Sequence, residues 1–206
     1  VRCCVTLLYV KKSKGIQFIN KRIPFAWHKG LNRLFYLRDF ILTDAHGNVR
    51  VKATTSWLVL NLETRRLVRD PELMEDGTVC TENVIETPAD KVQMPKDAEP
   101  ELVMTHKVAY SDVDMNAHAN NAMYMHWAMN AVGYEVTENR AVKSWTINFN
   151  NEIKPQEDVE LYRASIEAED GLHVFIEGKI ADKSAFIVER CKPTFAPSFA
   201  YAVAIP

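Results

Sequence analysis

The chain has 206 residues, of which 47% are hydrophobic and 25% are charged, a composition typical of a folded globular protein rather than a disordered one. Its formal charge of −2 at pH 7 excludes a uniformly basic or acidic chain. No apolar run approaches the roughly 18 residues that a membrane-spanning helix needs, which argues against a membrane span.

The first third of the chain is strongly basic. Residues 1–69 contain 14 Lys or Arg and 3 Asp or Glu, which gives a local charge of +11. This asymmetry favours an anionic partner, whether nucleic acid, a phosphorylated small molecule or an acidic protein. A solvated basic face explains the same composition equally well, so both interpretations stay open.

Two runs rich in β-branched and aromatic residues follow one another in this third. They cover residues 33–44 and 49–62, and the intervening AHGN has turn chemistry, so the pair predicts a long β-hairpin. Residues 70–101 are acidic and contain four prolines, which is typical of a connection between halves. We therefore expect an N-terminal half over residues 1–69, a linker over 70–101 and a C-terminal half over 102–206.

The C-terminal half predicts one long helix among strands. A strand over residues 102–110 precedes a helix that Asn120 or Asn121 caps and that Gly133 stops. Punctuated β-like runs complete the half, over residues 141–151, 158–168, 172–181 and 185–195. This order predicts an α+β fold in which a long helix lies on a curved antiparallel sheet.

The two halves also show a weak internal similarity. The segment FILTDAHGNVRVKATTSW (residues 40–57) resembles FIEGKIADKSAFIVERC (residues 175–191), which predicts a degenerate repeat. No segment before Arg33 shows an apolar helical stripe, so the first unit is predicted to be incomplete at its N-terminal side. Its sheet would then expose an apolar face that a partner chain, for instance in a homodimer, has to cover.

Candidate chemistry concentrates between the strand and the helix of the C-terminal half. Asp114, Asn116 and His118 alternate in the sequence, and in an extended segment alternate side chains share one face. Since Asp and Asn also form turns, a plain connection is the competing interpretation. A calcium loop is excluded because Ala117 and Met123 stand where Gly and Glu are required.

Other motifs add little. No HExxH, GxSxG, P-loop or dinucleotide fingerprint occurs, and the four cysteines lack CxxC or Cys/His ligand spacing, so we interpret them as reduced thiols. His126 is predicted to be a surface or interface residue. Glu152, at the end of a β-like run, is more simply solvated than catalytic when the sequence is taken without any relative.

Two independent segments nevertheless resemble one known family. YSDVDMNAHANNAMYMHW (residues 110–127) is similar to the DxNxHxNN segment of the plant and bacterial acyl-[acyl-carrier-protein] thioesterases. RDFILTDAHGNVRVKATTSWLVLNLETRRLVR (residues 38–69) resembles the signature of that family's first half. The resemblance extends over roughly residues 35–195, with both segments in the family's order.

The resemblance implies a tandem (double) hotdog fold with the fatty acyl chain in a tunnel between helix and sheet. It implies catalytic roles for Asp114, Asn116 and His118, and for Glu152 at the family's downstream spacing. Many plant members carry a cysteine after that glutamate, whereas this chain has Ile153, which argues against a thiolate mechanism there. No metal or organic cofactor is implied.

The resemblance also implies a partner and a reaction. Acyl carrier protein is acidic and would bind the basic N-terminal third, and hydrolysis of its fatty acyl thioester would release free fatty acid. An acyl-CoA hotdog thioesterase and a non-catalytic acyl-binding or interaction module are the alternatives, and a hotdog dehydratase is less well supported. We expect no nucleic-acid partner and a bacterial cytoplasmic location, with the plastid stroma as the alternative if a transit segment precedes Val1.

Overall fold

The structure, a computed structural model, describes residues 3–9, 23–61, 63–64, 66–68, 80, 82–86, 91–138 and 142–192. Two helices occur in these ranges, α1 (Asn121–Val132) and α2 (Tyr134–Glu138), together with a single 3₁₀ turn at Tyr110–Asp112. The strands are β1 (Cys3–Tyr9), β2 (Ile23–Asn32), β3 (Phe35–Thr43), β4 (Val49–Trp57), β5 (Val59–Leu60), β6 (Leu67–Val68), β7 (Glu101–Lys107), β8 (Ser144–Phe149), β9 (Asp158–Ala168), β10 (Gly171–Ile180) and β11 (Lys183–Lys192). None of the described helices is long and apolar enough to span a bilayer.

Nine of these strands form one antiparallel sheet in the order β2-β3-β4-β1-β8-β11-β10-β9-β7. The order β1-β4-β3-β2 on one side of the centre repeats as β8-β11-β10-β9 on the other. The β1–β8 pairing, with Leu7 opposite Trp145, joins the two halves into a continuous sheet. In this symmetry the β3–β4 hairpin corresponds to β10–β11, which are the two segments that the sequence similarity matched.

The predicted N-terminal hairpin is confirmed as β3 and β4, which pair from Tyr36 opposite Trp57 to Thr43 opposite Val49. The Asp44 carboxylate organises the turn, accepting backbone N–H groups of His46 and Asn48 at 2.9 Å and pairing with Arg50. Although desolvation opposes them, these bonds hold the pKa of Asp44 well below its usual range. The second strand ends at Trp57 rather than at residue 62, because residues 59–60 turn aside to pair with residues 67–68.

Helix α1 lies on the sheet of the C-terminal half, as predicted. The Asn120 side chain caps it by accepting the N–H of Ala122 at 2.9 Å, and Gly133 ends it with a positive φ. Its buried residues pack into a core with strands β8 to β11: Tyr124, Trp127, Ala128, Ala131 and Val132. A Cβ at Gly178 would lie 2.1 Å from Phe186 in this core, so the ring sits directly on glycine backbone.

The predicted linker packs against the sheet at two points. Val92 donates its N–H to Asn148 Oδ1 at 2.6 Å and packs with Phe175 and Ile187. Phe175 alternates with Val174, which packs in the α1 core, so Val92 covers the opposite face of the sheet. In the N-terminal half, Cys80 and residues 82–85 bond to strands β2 and β3. The described parts of the linker are therefore integral to the fold.

The first half is built of strands within its described residues. Its strand β1 occupies the position that β8 holds in the second half, and β8 is the strand that follows α1. The prediction that the first unit lacks its helix depends on residues 10–22, which lie outside the described residues. The division into residues 1–69, 70–101 and 102–206 stays a prediction.

Candidate active site

The loop that enters α1 is a tight turn rather than an extended segment, so the prediction that alternation places three side chains on a strand face is wrong. Val113 and Ala119 form an isolated bridge, the Asp114 N–H donates to the His118 carbonyl at 2.8 Å, and Ala117 adopts a left-handed φ of 58°. The backbone reverses within these residues. Their side chains are placed by the turn and not by strand periodicity.

Asp114 and Asn116 form the first pair at this turn. Asp114 Oδ1 accepts the backbone N–H of Asn116 at 2.8 Å, and Oδ2 lies 3.5 Å from the Asn116 amide nitrogen. Asp114 is partly buried, whereas Asn116 is exposed. The carboxylate therefore fixes the turn and orients a solvent-facing amide.

His118 and Glu152 form the second pair. The Ala119 N–H donates to the Ile153 carbonyl at 2.8 Å, which fastens the chain after β8 beside the turn. His118 Nε2 then lies 3.4 Å from Glu152 Oε2, and both side chains are about one third exposed, at 32% and 33%. This separation is slightly longer than a normal hydrogen bond and is typical of catalytic pairs before substrate binds.

Asp112 supports the turn from below. Its buried carboxylate accepts the Ala109 N–H at 2.9 Å and contacts His106 Nε2 at 2.8 Å, while its carbonyl accepts the Asn120 N–H at 2.7 Å. The His106 ring lies 4.7 Å from that of Trp127 on α1. Asp112 thus connects β7, the turn and the helix start, a role that the sequence alone did not indicate.

Thiol chemistry is remote from this turn. Ile153, next to Glu152, is fully buried in the core. Cys191, on β11, is also buried, and burial together with Asp170 raises the pKa of its thiol to about 11. A thiol with that pKa is protonated near neutral pH and is a poor nucleophile.

Tyr124 is a site residue that the sequence analysis missed, since it belongs to the apolar face of α1. Its side chain is buried, and the Ile153 backbone hydrogen-bonds to its phenol. Burial raises the pKa of Tyr124 to about 12, and the carboxylates of Glu152 and Asp114 act in the same direction, against that hydrogen bond. Tyr124 therefore senses both pairs of the turn and stays a neutral phenol.

This shift predicts a specific loss of stability in alkali. Because the folded pKa of Tyr124 lies above the unfolded value of about 10, its contribution is complete below pH 10 and is lost as pH rises toward 12. Urea midpoints should fall less steeply between pH 9 and 11 in Tyr124→Phe than in the wild type. Tyr110→Phe, which alters a 95% exposed tyrosine, should follow the wild-type slope. Equal slopes in all three proteins would contradict the assignment.

A groove of about 600 Å³ opens at the other end of α1, between the helix end, α2, β7 and β9. It begins at Val132, roughly 18 Å along the helix from the turn. Its lining includes the carboxylates of Glu99, Glu101 and Glu135. Carboxylates do not favour an acyl chain, so we do not assign this groove to the candidate active site.

Solved structures show what class of fold carries this site. An acyl-ACP thioesterase from Bacteroides thetaiotaomicron superposes with a TM-score of 0.77 at 20% identity, covering 93% of this chain and 75% of that one. The 12:0-ACP thioesterase from Umbellularia californica superposes with a TM-score of 0.72 at 16% identity, over 93% and 74%. A MaoC-like dehydratase also matches, with a TM-score of 0.62 at 11% identity, so these likenesses establish the fold alone. The chain has the hotdog fold, with its helix on an antiparallel sheet.

Sequence comparison gives the family. Residues 96–185 match the model of the acyl-ACP thioesterase C-terminal domain. Oleoyl-acyl carrier protein thioesterase 2 of Arabidopsis thaliana is 29% identical over 148 residues, or 65% of this chain. Thioesterase 1 of the same plant is 27% identical over 144 residues. The predicted resemblance is confirmed, and the chain is a relative of the acyl-ACP thioesterases. The matched regions span 39% and 40% of those two relatives.

Proposed function

We propose that this protein hydrolyses the thioester of a fatty acyl-[acyl carrier protein] and releases free fatty acid. The observation that carries the proposal is the meeting of His118 and Glu152, with 3.4 Å between Nε2 and Oε2, at the start of α1. A partly exposed imidazole and carboxylate at this distance suit the activation of water. The relatives named above are thioesterases acting on acyl carrier protein, which supports this substrate over others.

In the proposed reaction, water attacks the thioester carbonyl carbon. Glu152, with His118, orients the water and accepts its proton as the carbon–oxygen bond forms. The tetrahedral intermediate then collapses, the carbon–sulfur bond breaks, and the proton returns to the departing thiolate of the carrier. Direct attack by Glu152 to give an anhydride is the alternative route, and incorporation of ¹⁸O from water into Glu152 would identify it.

Asn116 supplies the oxyanion contact in this proposal. Its amide is exposed and is oriented by Asp114, so an N–H is free to donate to the carbonyl oxygen as negative charge develops. Loss of one such donor costs on the order of 3 to 4 kcal/mol in transition-state stabilisation. Asp114 acts as a positioning residue for that amide.

The basic N-terminal third remains the proposed docking surface for the acidic carrier, but two of its cations are neutralised within the fold. Lys29 pairs with Asp39, and Arg50 pairs with Asp44. Arg33 and Arg66, by contrast, are exposed on the N-terminal half. These two arginines are the described residues on which we test docking.

The docking proposal predicts salt-sensitive kinetics with the protein substrate. Because raising ionic strength from 0.1 to 1 M shortens the Debye length from about 10 Å to about 3 Å, kcat/KM for acyl-ACP should fall severalfold, mainly through KM. Arg33→Glu/Arg66→Glu should reproduce that loss at low salt. Hydrolysis of an uncharged acyl thioester of a small thiol is the control and should change little. Salt-independent kinetics on acyl-ACP would contradict docking by charge.

The same assay separates the competing functions. Turnover of acyl-CoA at least equal to that of acyl-ACP would favour an acyl-CoA thioesterase, and fatty acid binding without turnover would favour a binding module. The compartment stays a prediction as well; the curated plant relatives carry the description chloroplastic, which supports the plastid alternative. A homodimer likewise stays a prediction.

A further inference from the structure

Three side chains of different chemistry meet at one end of the β10–β11 hairpin. Asp170 lies in the β9–β10 turn, His173 on β10 and Cys191 on β11. Cys191 Sγ is 3.5 Å from His173 Nε2 and 3.4 Å from Asp170 Oδ2, and His173 Nε2 is 2.8 Å from Asp170 Oδ1. The ligand atoms of all three lie within 4.8 Å of one another.

The sheet register creates this cluster. His173 and Cys191 are direct cross-strand partners, so their side chains share a face although 17 residues lie between them in the chain. His173 alternates with Val174, which packs in the α1 core, so the pair occupies the opposite face. The β9–β10 turn brings Asp170 back over that face.

The cluster is separate from the candidate active site. Cys191 pairs with Ser144 at the start of β8, whereas Glu152 follows the end of that strand. The distance from Ser144 to Phe149 alone is about 17 Å at the rise of an antiparallel strand. The mechanism proposed above uses none of the three residues.

Their spacing matches a tetrahedral metal site. With bonds of about 2.3 Å to sulfur and 2.0 to 2.2 Å to nitrogen and oxygen, tetrahedral zinc separates sulfur from either other ligand by about 3.6 Å. The observed separations from Cys191 Sγ are 3.5 and 3.4 Å. The nitrogen–oxygen edge needs about 3.4 Å and is now 2.8 Å, so a small rotation of the half-exposed Asp170 side chain completes the geometry.

The surroundings of His173 also suit metal binding. Its Nδ1 lies 2.8 Å from Glu189 Oε1, which selects the tautomer that leaves Nε2 to face Cys191 and Asp170. A carboxylate behind a histidine ligand is the usual arrangement in zinc proteins. One thiolate and one carboxylate neutralise a divalent ion; Lys143, with its Nζ 3.5 Å from Asp170, adds a positive charge that Glu189 offsets.

We propose that Asp170, His173 and Cys191 form a binding site for a divalent transition metal of the zinc class, with Glu189 orienting the histidine. Three protein ligands leave one coordination position for water or another small ligand. The bound ion ties the β9–β10 turn to β11 at the end of the hairpin. This inference does not depend on the proposed hydrolytic function.

The first test uses Co²⁺ and Zn²⁺ on chelator-treated full chain. One equivalent of Co²⁺ should produce a thiolate-to-metal charge-transfer band in the wild type and not in Cys191→Ser. The other cysteines provide matched controls, since Cys80→Ser and Cys3→Ser/Cys4→Ser should keep the band. Its absence from the wild type, or its loss only in the control variants, would overturn the proposal.

Affinity gives a second readout that does not depend on Cys191→Ser folding. Zn²⁺ competition against a chromophoric chelator should show a tenfold to hundredfold weaker dissociation constant in Glu189→Gln and at least that loss in Asp170→Asn, which alters an exposed turn. Zn²⁺ should also raise the Tm of the wild type more than that of Asp170→Asn. Equal affinities in all three proteins would show that the contacts are only a metal-free hydrogen-bonded cluster.

Discussion

Replacing Glu152 by Gln is expected to lower kcat for acyl-ACP by about 10² to 10⁴ with a folded, stable protein. The substitution keeps the size of the side chain but removes the base that lies 3.4 Å from His118 Nε2. Because the chain reverses around Ile153, whose carbonyl accepts the Ala119 N–H, the backbone of the turn should be unaffected. Steady-state rates and urea midpoints measured together separate lost chemistry from lost folding.

A second substitution tests whether the two residues act as one unit. His118→Ala should have an effect of similar size, and Glu152→Gln/His118→Ala should be little worse than either single variant, because groups that act together are strongly non-additive. Asp158→Asn is the control, since Asp158 is 59% exposed and only 3.6 Å from Lys107. Near wild-type rates in Glu152→Gln and His118→Ala would remove both residues from the mechanism.

Local patterns in the sequence predict most of the second half. The strand over residues 158–168 is found with those bounds as β9, and α1 begins after its Asn120 cap and ends at Gly133 as expected. These elements are determined by neighbouring residues, through capping, glycine conformation and alternation. The hairpin of β3 and β4 is predictable for the same reason, because Asp44 organises its turn within five residues.

Features that depend on distant contacts were not predictable. The pairing of β1 with both β4 and β8 joins segments more than 130 residues apart. In the site, the alternation of Asp114, Asn116 and His118 suggested a strand, although the Asp114 carboxylate and a left-handed Ala117 make a turn. The polarity of residues 70–101 suggested a plain linker, because hydrogen bonds of its backbone to the sheet leave no trace in the composition.

The same distinction applies to the cysteines. Ligand-spacing motifs detect residues that are close in the chain, and 17 residues separate His173 from Cys191. The β10–β11 register makes them neighbours, and that register could be inferred from the Asp182-Lys183 turn. Pairing residues across a predicted hairpin would therefore have found this cluster before the structure was known.

The largest effect on stability is expected where the segment containing Val84 meets the first half. Asp39 is fully buried and lies 2.9 Å from Lys29 Nζ, whose side chain is 3% exposed. Asp39 Oδ2 accepts the Val84 N–H at 2.8 Å, and Lys29 donates to the Ile85 carbonyl at 2.7 Å. The ion pair therefore holds this segment on the sheet and leaves each charge dependent on the other.

Asp39→Asn should accordingly lower the free energy of unfolding by about 3 to 5 kcal/mol, because it leaves the Lys29 ammonium buried without its counter-charge. For a chain of this size, each kcal/mol lowers Tm by roughly 2 to 4 °C. The double variant Lys29→Met/Asp39→Asn should recover most of that loss, since burying two uncharged groups avoids the desolvation of an unpaired ion. Asp158→Asn, at the exposed pair with Lys107, should leave the urea midpoint unchanged. If the double variant is as unstable as the sum of Lys29→Met and Asp39→Asn, the stabilisation comes from packing and not from charge pairing, because only a coupled pair gives a positive interaction energy in this cycle.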